Sequence, residues 1–338
     1  MRIREYVMPK SLIYTGEHPE VKTKIVHYQY DENKVEITDN FVSLPGKKHY
    51  IQVIGLKEID KVKTIREFYS INPLILEDVF NVKQRTKVEM HDDFLFSSLH
   101  LEYQDGEEIK HDYLSIFMNK DALITFHETE PAYLAALPGL FQKNEELRKR
   151  GIDYLYYQIL DIVTDNHLDI YDTLEKRAND FEEEILENEK IDQESFYLTR
   201  KQFLKLKEAV SPLMSELRVA MGSATAGLLF SKDTEPYFQD LRDHLQRLDD
   251  QLNTAREEIR HLLDLMMNNQ SYKMNQIMTT LTLFSAIFIP LTFITGIFGM
   301  NFTYFGILDY KYAIPAFTAI CVLLAVGMLI FFKRKKWF

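Results

Sequence analysis

The sequence predicts an α+β domain of α/β/α layers, then a very long stalk helix continuing into the first of two transmembrane helices. Three observations carry this expectation. Met274–Leu308 and Tyr312–Phe332 contain no Asp, Glu, Lys or Arg, and one helix crosses a bilayer with about 20 apolar residues. No Gly or Pro interrupts the chain between Pro236 and Pro290. A helix from Pro236 to Gly299 would be about 95 Å long, a stalk and not a globular helix. Ahead of it, short β-rich runs alternate with helical spacing, the order expected of a layered α+β domain.

The elements follow in order. Lys24–Tyr28, Lys34–Ile37 and His49–Ile54 alternate as strands. Helical spacing runs from about Ile59 to Phe68, and a second helix follows Asn72-Pro73 through Leu74, Leu76 and Val79. Strands are expected at Lys87–Met90, Phe94–Tyr103, Tyr113–Met118 and Ala122–His127, with further helices beginning near Pro131. Long helices are expected from Ile152 to about Glu189 and from about Gln193 to Met221. Gly222-Ser223-Ala224-Thr225-Ala226-Gly227 marks a turn. Asp233-Thr234-Glu235-Pro236 offers polar caps and an early proline for the long helix. The expected divisions are an α/β domain (1–150), a helical hairpin (151–230), stalk and first span (231–301), a short external loop (302–312), and second span with basic tail (313–338).

Composition narrows the function. The chain has 338 residues and a formal net charge of -11, with a mean hydropathy of -0.23 that hides the apolar end. The acids lie in the leading part, for example Asp180, Glu182, Glu183, Glu184, Glu187 and Glu189, and read first as a solvated helical face. No basic stripe with interleaved aromatics points to nucleic acid. The lone Cys321 offers no disulfide framework. Met1-Arg2-Ile3-Arg4-Glu5 does not begin a signal peptide. Lys333-Arg334-Lys335-Lys336 directly follows the second span, which orients both termini to the cytoplasm of a cell (inner) membrane.

One stripe stands out on the stalk and first span. Steps of four and three from Asp264 pass through Asn268, Ser271, Asn275, Met278, Thr282, Ser285, Ile289, Thr292, Gly296 and Gly299. A 3.5-residue period is that of helices wound about a common axis. This seam is polar or small where an ordinary coiled coil would carry Leu and Ile. Hydroxyls and amides belong against other helices or water, not lipid. The alternatives are a wet axis shared by several copies or tight dimerisation through small residues. Asp264, Asn268 and Asn275 favour water or ions. Pro290 cannot donate to the Ala286 carbonyl, and a freed carbonyl at membrane depth is tolerated where it lines a wet cavity. Met278 and Ile289, the bulky seam members, would form apolar constrictions of the kind that gate by dewetting.

The seam ends at Gly299-Met300-Asn301, a polar corner between two spans. Here the chain resembles the CorA family of divalent-cation channels, in its two-span group with a Gly-x-Asn signature. The resemblance covers the whole chain. It includes Pro290-Leu291-Thr292-Phe293-Ile294-Thr295-Gly296-Ile297-Phe298-Gly299-Met300-Asn301-Phe302, and Asn72-Pro73-Leu74 through Leu76-Glu77-Asp78. It extends to Gln84-Arg85, Lys87-Val88-Glu89, Tyr237-Phe238-Gln239-Asp240 and the closing Lys-Arg-Lys-Lys-Trp-Phe. It implies a funnel-shaped homopentamer with one pore lined by the first spans, and transport of Mg²⁺ with Co²⁺ and Ni²⁺ as possible passengers. Zn²⁺-transporting relatives share the architecture, and Met300 leans towards Mg²⁺. It also implies regulatory Mg²⁺ at contacts between subunits, the matching positions being Glu77, Asp78 and Asp240. Asp264, Asn275 and Thr292 would form acidic, amide and hydroxyl rings along the pore. Two departures are Phe298 in place of the usual Tyr, and a loop without the Met-Pro-Glu-Leu run, whose Asp309 is partly offset by Lys311.

Rival classes are a membrane-tethered cation sensor that conducts nothing and an enzyme in the soluble part. The sensor leaves the polar seam within the bilayer unexplained. For the enzyme, the ten His residues are scattered, and His127-Glu128-Thr129-Glu130 lacks the second His of a zinc motif. No phosphate loop or nucleophile motif appears, so no enzymatic activity is expected.

Overall fold

Among the described residues, seven strands form one sheet in the order β2-β1-β3-β7-β6-β5-β4. The strands are β1 (Lys24–Tyr30), β2 (Val35–Thr38), β3 (Lys48–Ile54), β4 (Lys87–Met90), β5 (Leu95–Asp105), β6 (Glu108–Met118) and β7 (Ala122–His127). The computed structural model describes residues 13–42, 46–106, 108–187, 191–300, 306, 311–335 and 337. Only the β3–β7 pairing is parallel; the other neighbours run antiparallel.

Successive side chains on a strand point to opposite faces, and both faces here are covered. Helices α1 (Ile59–Phe68) and α2 (Pro73–Phe80) bury Val62, Ile65, Leu76, Val79 and Phe80 against Ile51, Val53, Phe96, Phe117 and Phe126. The opposite face meets α3 (Leu137–Lys143) and α5 (Ile152–Leu186), with α4 (Glu145–Lys149) between them. There the Phe141 ring stacks 5.1 Å from Tyr28 and 5.8 Å from Tyr50, and Ser97 hydrogen-bonds Tyr156 at 2.8 Å. The α/β/α layering expected from the element order is present.

The helix boundaries at Ile59–Phe68 and Gln193–Met221 (α6) fall where the spacing put them. β6 begins at Glu108, five residues before the expected Tyr113, because Glu108-Ile109-Lys110-His111-Asp112 continues the ladder down to the pair Asp105–Glu108. Polar residues hid that half of the hairpin. Gly106, at φ +65°, turns the chain there, a conformation that glycine adopts without a Cβ penalty. The turn at 222–227 runs into one short helix, α7 (Ala226–Leu229).

The chain packs as two units, Met1–Arg260 and His261–Phe338. Within the first, the root of the long helix α8 (Glu235–Phe298) is fastened by aromatic and ionic contacts. Phe238 lies 4.8 Å from Phe230, 5.8 Å from Tyr157 and 6.0 Å from Tyr156, measured between ring centres. The Arg150 guanidinium sits between Tyr154 and Tyr237, at 4.9 and 4.7 Å, and pairs with Glu146 at 2.7 Å. From there Leu241, Leu245, Leu248, Leu252, Ala255, Ile259 and Leu262 are all buried. This second seam is the apolar one, also spaced by fours and threes. Its polar flank is tied to α6 through Ser211–Asp249 and Lys207–Asn253 hydrogen bonds.

Helix α1 ends with Ser70 at φ +52°, where the Ile71 amide donates to the Arg66 carbonyl at 2.9 Å. This is the Schellman geometry, in which glycine normally takes the left-handed position. Ser70→Gly should therefore raise stability by about 0.5–1 kcal/mol. Urea unfolding of the purified protein checks this, and an unchanged or lowered midpoint would refute it.

Candidate functional site

The stripe is built by one unbroken helix, because Glu235–Phe298 contains strong helix formers, a single interior proline and no glycine before Gly296. In the second unit, α8 runs beside α9 (Ala313–Arg334), and Phe298 and Phe317 meet at 4.7 Å between ring centres. The half-covered positions on α8 include Leu283, Ile287, Pro290, Leu291, Ile294 and Phe298. On α9 they include Phe317, Cys321, Leu324, Ala325 and Met328. Both sets recur at helical spacing, so each helix turns one apolar face to the other.

At about 100° per residue, that α8 face lies roughly opposite the stripe. Met278, Thr282, Ile289, Thr292, Gly296 and Gly299 are exposed, as are Asp264, Asn268, Ser271 and Asn275. Ser285 is partly covered. The structure thus brings the predicted stripe residues onto one face, open except at Ser285, on the side of α8 away from the face given to α9. Their hydroxyl hydrogens are partly spent within the helix: Ser271 donates to the Met267 carbonyl at 2.9 Å and Thr282 to the Met278 carbonyl at 2.7 Å. Such hydroxyls present acceptor lone pairs outward, which suits the hydrogen atoms of a cation's water shell.

At the end of the stripe the Gly299 amide donates to the Thr295 carbonyl at 2.9 Å and the Met300 amide to the Ile297 carbonyl at 3.3 Å. A Cβ on Gly299 would stand 3.3 Å from the Thr295 oxygen, so a larger residue there would need that carbonyl to shift by a few tenths of an ångström. Asn301 and the loop acid Asp309 lie outside the described residues.

The three acids implied to bind regulatory metal lie apart in character. Asn72 caps α2 by accepting from the Leu74 amide at 2.9 Å, with Pro73 at the first helical position. That helix presents Glu77 to solvent and Asp78 half-buried. Asp78 is already engaged: Lys87 Nζ donates to one carboxylate oxygen at 2.7 Å and Gln84 Nε2 to the other at 2.7 Å. Lys87 also reaches Glu89 at 2.9 Å, and its side chain is only 7% exposed. Partner carboxylates hold the Lys87 ammonium pKa above its ordinary value against the opposing effect of burial, the largest single influence. Asp240, on the first turns of α8, is exposed and 4.0 Å from His244. Facing it on α5, Asp161 and Asp165 have carboxyl pKa values raised by burial first and by neighbouring acids second. Among the described residues no group of three or more His, Cys, Asp or Glu is arranged to hold a metal ion. Glu77, Asp78 and Asp240 are thus not gathered into one such group among the described residues. Sequence reasoning missed Lys87 and the Asp161–Asp165 pair; the i, i+4 spacing of the two acids on a helix was the available signal.

A family model described as CorA-like Mg²⁺ transporter protein matches residues 56–334. The chain belongs to the CorA family. It is 31% identical to the cobalt/magnesium transport protein CorA of Thermotoga maritima, over 97% of this chain and 96% of that protein. It is 31% identical to the putative metal ion transporter YfjQ of Bacillus subtilis, over 81% of this chain and 85% of that protein. The complete CorA magnesium transporter of Methanocaldococcus jannaschii superposes with a TM-score of 0.78. That match is 21% identical and covers 94% of this chain and 100% of that one, which establishes a common fold. Membership in this family of divalent-cation transporters places the chain in a membrane, in keeping with two helices of sufficient length and apolarity among the described residues.

Lys87→Met leaves Asp78 and Glu89 without their shared cation. The expected loss is about 1.5–3 kcal/mol, with Mg²⁺ restoring part of it by taking the ammonium's place. Thermal unfolding with and without Mg²⁺ checks both parts; a variant as stable as the parent would refute the stabilising role of Lys87.

Proposed function

We propose that the protein is a Mg²⁺ influx channel, a homopentamer in which five copies of the α8 stripe surround one aqueous pore. The observation that carries this reading is the open polar face of α8, opposite the face given to α9. Mg²⁺ is octahedral, binds oxygen at about 2.0–2.1 Å and dehydrates reluctantly. A pore lined by amides and acceptor-only hydroxyls lets it keep that water and bind through the shell. The pore mouth in this reading is Gly299-Met300-Asn301, where the Asn301 carboxamides would ring the hydrated ion. Neutral amide oxygens, accepting hydrogen bonds from its waters, hold it loosely enough to let it leave.

Gating in this reading follows from half-sites. Asp240 of one copy, and Glu77 with Asp78 of the next, would share Mg²⁺ when the cytoplasmic concentration is high. The bound charge cancels carboxylate repulsion and favours the symmetric closed state. Loss of the ion shifts the population towards open states. In this orientation both termini are cytoplasmic. Co²⁺ and Ni²⁺ would pass by the same outer-sphere route.

Two outcomes test the reading. Asn301→Ala should abolish Mg²⁺ uptake into proteoliposomes at normal protein incorporation, and uptake equal to the parent would refute the role of the mouth. Asp240→Lys supplies a fixed positive charge and should hold the channel closed when Mg²⁺ is low; an unaltered dependence on Mg²⁺ would count against this site.

A further inference from the structure

The hairpin of β5 and β6 brings two histidines together on the face of the sheet that also carries Tyr113. Glu102 pairs with His111, and His100 with Tyr113, in the strand register. His100 and His111 are therefore diagonal neighbours, with rings 5.3 Å apart and 17° from parallel. Each ring has one nitrogen committed in a way that frees the other. His100 Nε2 lies 2.7 Å from the Gln84 carbonyl. A carbonyl only accepts, so Nε2 carries the hydrogen and Nδ1 holds a lone pair. That Nδ1 is buried and has no hydrogen-bond partner. His111 Nδ1 lies 2.8 Å from a carboxylate oxygen of Glu102, a residue only 3% exposed. The carboxylate accepts the Nδ1 hydrogen, so in that tautomer Nε2 is the nitrogen that holds a lone pair.

An imidazole whose second nitrogen is held by a carbonyl or a carboxylate is the arrangement found behind metal-binding histidines, because it sets the tautomer and aims the ring. Two such rings stand side by side here. Burial, the largest influence, lowers the His100 pKa, so its lone pair is available at neutral pH.

We infer that His100 Nδ1 and His111 Nε2 form a binding site for one late first-row transition-metal ion, of the class of Ni²⁺, Co²⁺, Zn²⁺ or Cu²⁺, with water completing the coordination. Imidazole nitrogen suits these ions, whereas Mg²⁺ takes oxygen. Metal–nitrogen bonds of about 2.0–2.1 Å require the His111 ring to swing out of the stack, pivoting on its Glu102 bond. Its side chain is 45% exposed and has room to do so. His100 stays fixed by Gln84, whose amide also holds Asp78. A metal here is two hydrogen bonds from an acid of the proposed Mg²⁺ half-site, yet chemically distinct from it. The inference does not depend on transport.

The test uses the full-length protein in detergent with a large excess of Mg²⁺ to occupy oxygen sites. Ni²⁺ titration should find one more ion per chain in the parent than in His100→Gln or His111→Gln. Glu102→Gln should weaken that binding by roughly 10–100-fold. With Cu²⁺ under the same conditions, the parent's electron paramagnetic resonance spectrum should gain a two-nitrogen pattern that either His variant loses. His111 is half exposed, so His111→Gln is expected to fold, and an unchanged unfolding temperature without metal verifies it. Equal Ni²⁺ stoichiometry in the parent and a folded His111→Gln, or complete displacement of Ni²⁺ by Mg²⁺, would overturn the site.

Discussion

A helix that carries Asn275, Thr282, Ser285 and Thr292 into a bilayer has to give those polar atoms partners other than lipid. Intrahelical bonds answer part of the demand. Thr282 donates back to the Met278 carbonyl, as Ser271 does to Met267. The remaining lone pairs and amides still face outward. Asn275, Thr282 and Thr292 stay exposed, since the second span meets α8 on the apolar face marked by Ile287, Leu291, Ile294 and Phe298. In the proposed assembly, other copies and water take that place. The cost of an unsatisfied polar group in hydrocarbon, several kcal/mol, thus links the residue choice on one helix face to the proposed assembly and pore.

The soluble unit answers a related problem for charge. Its acids are not uniformly free. Asp78 is compensated by Lys87 and Gln84 inside its own chain, while Glu77 and Asp240 are exposed. Asp161, half-buried on α5, and Asp165, exposed one turn further on, both have raised pKa values, because burial first and adjoining acids second disfavour their charged forms. A divalent ion contributes most where carboxylates lack a resident cation, which makes Asp240 and the α5 acids the more open side of the proposed contact. Lys87 makes the Asp78 side weaker for metal than its carboxylate alone would be.

The legibility of these features followed the range of the interactions behind them. Periodicity is local, so the strands of the sheet, the helices at Ile59–Phe68 and Gln193–Met221, and the long run from Glu235 could be read directly. The polar half of β6 could not, because Glu108-Ile109-Lys110-His111-Asp112 is held as strand by its register with β5 and not by its own composition. The buried seam from Leu241 to Leu262 was present in the spacing but lay on the same helix as the more unusual polar stripe. Lys87 was legible only as part of the family-like run Lys87-Val88-Glu89, and its ionic role appeared when folding placed it between Asp78 and Glu89.

The amino-acid order by itself determined two spans, a helix too long for a globule, a layered domain ahead of it, and the family to which the Gly-Met-Asn corner belongs. Those properties depend on neighbours within a few turns of helix or residues of strand. Which face of α8 is given to α9, which carboxylates already have a cation, and which histidine nitrogens are left with lone pairs were decided by the tertiary structure alone. Each depends on groups far apart in the chain, for which spacing along the sequence carries no record.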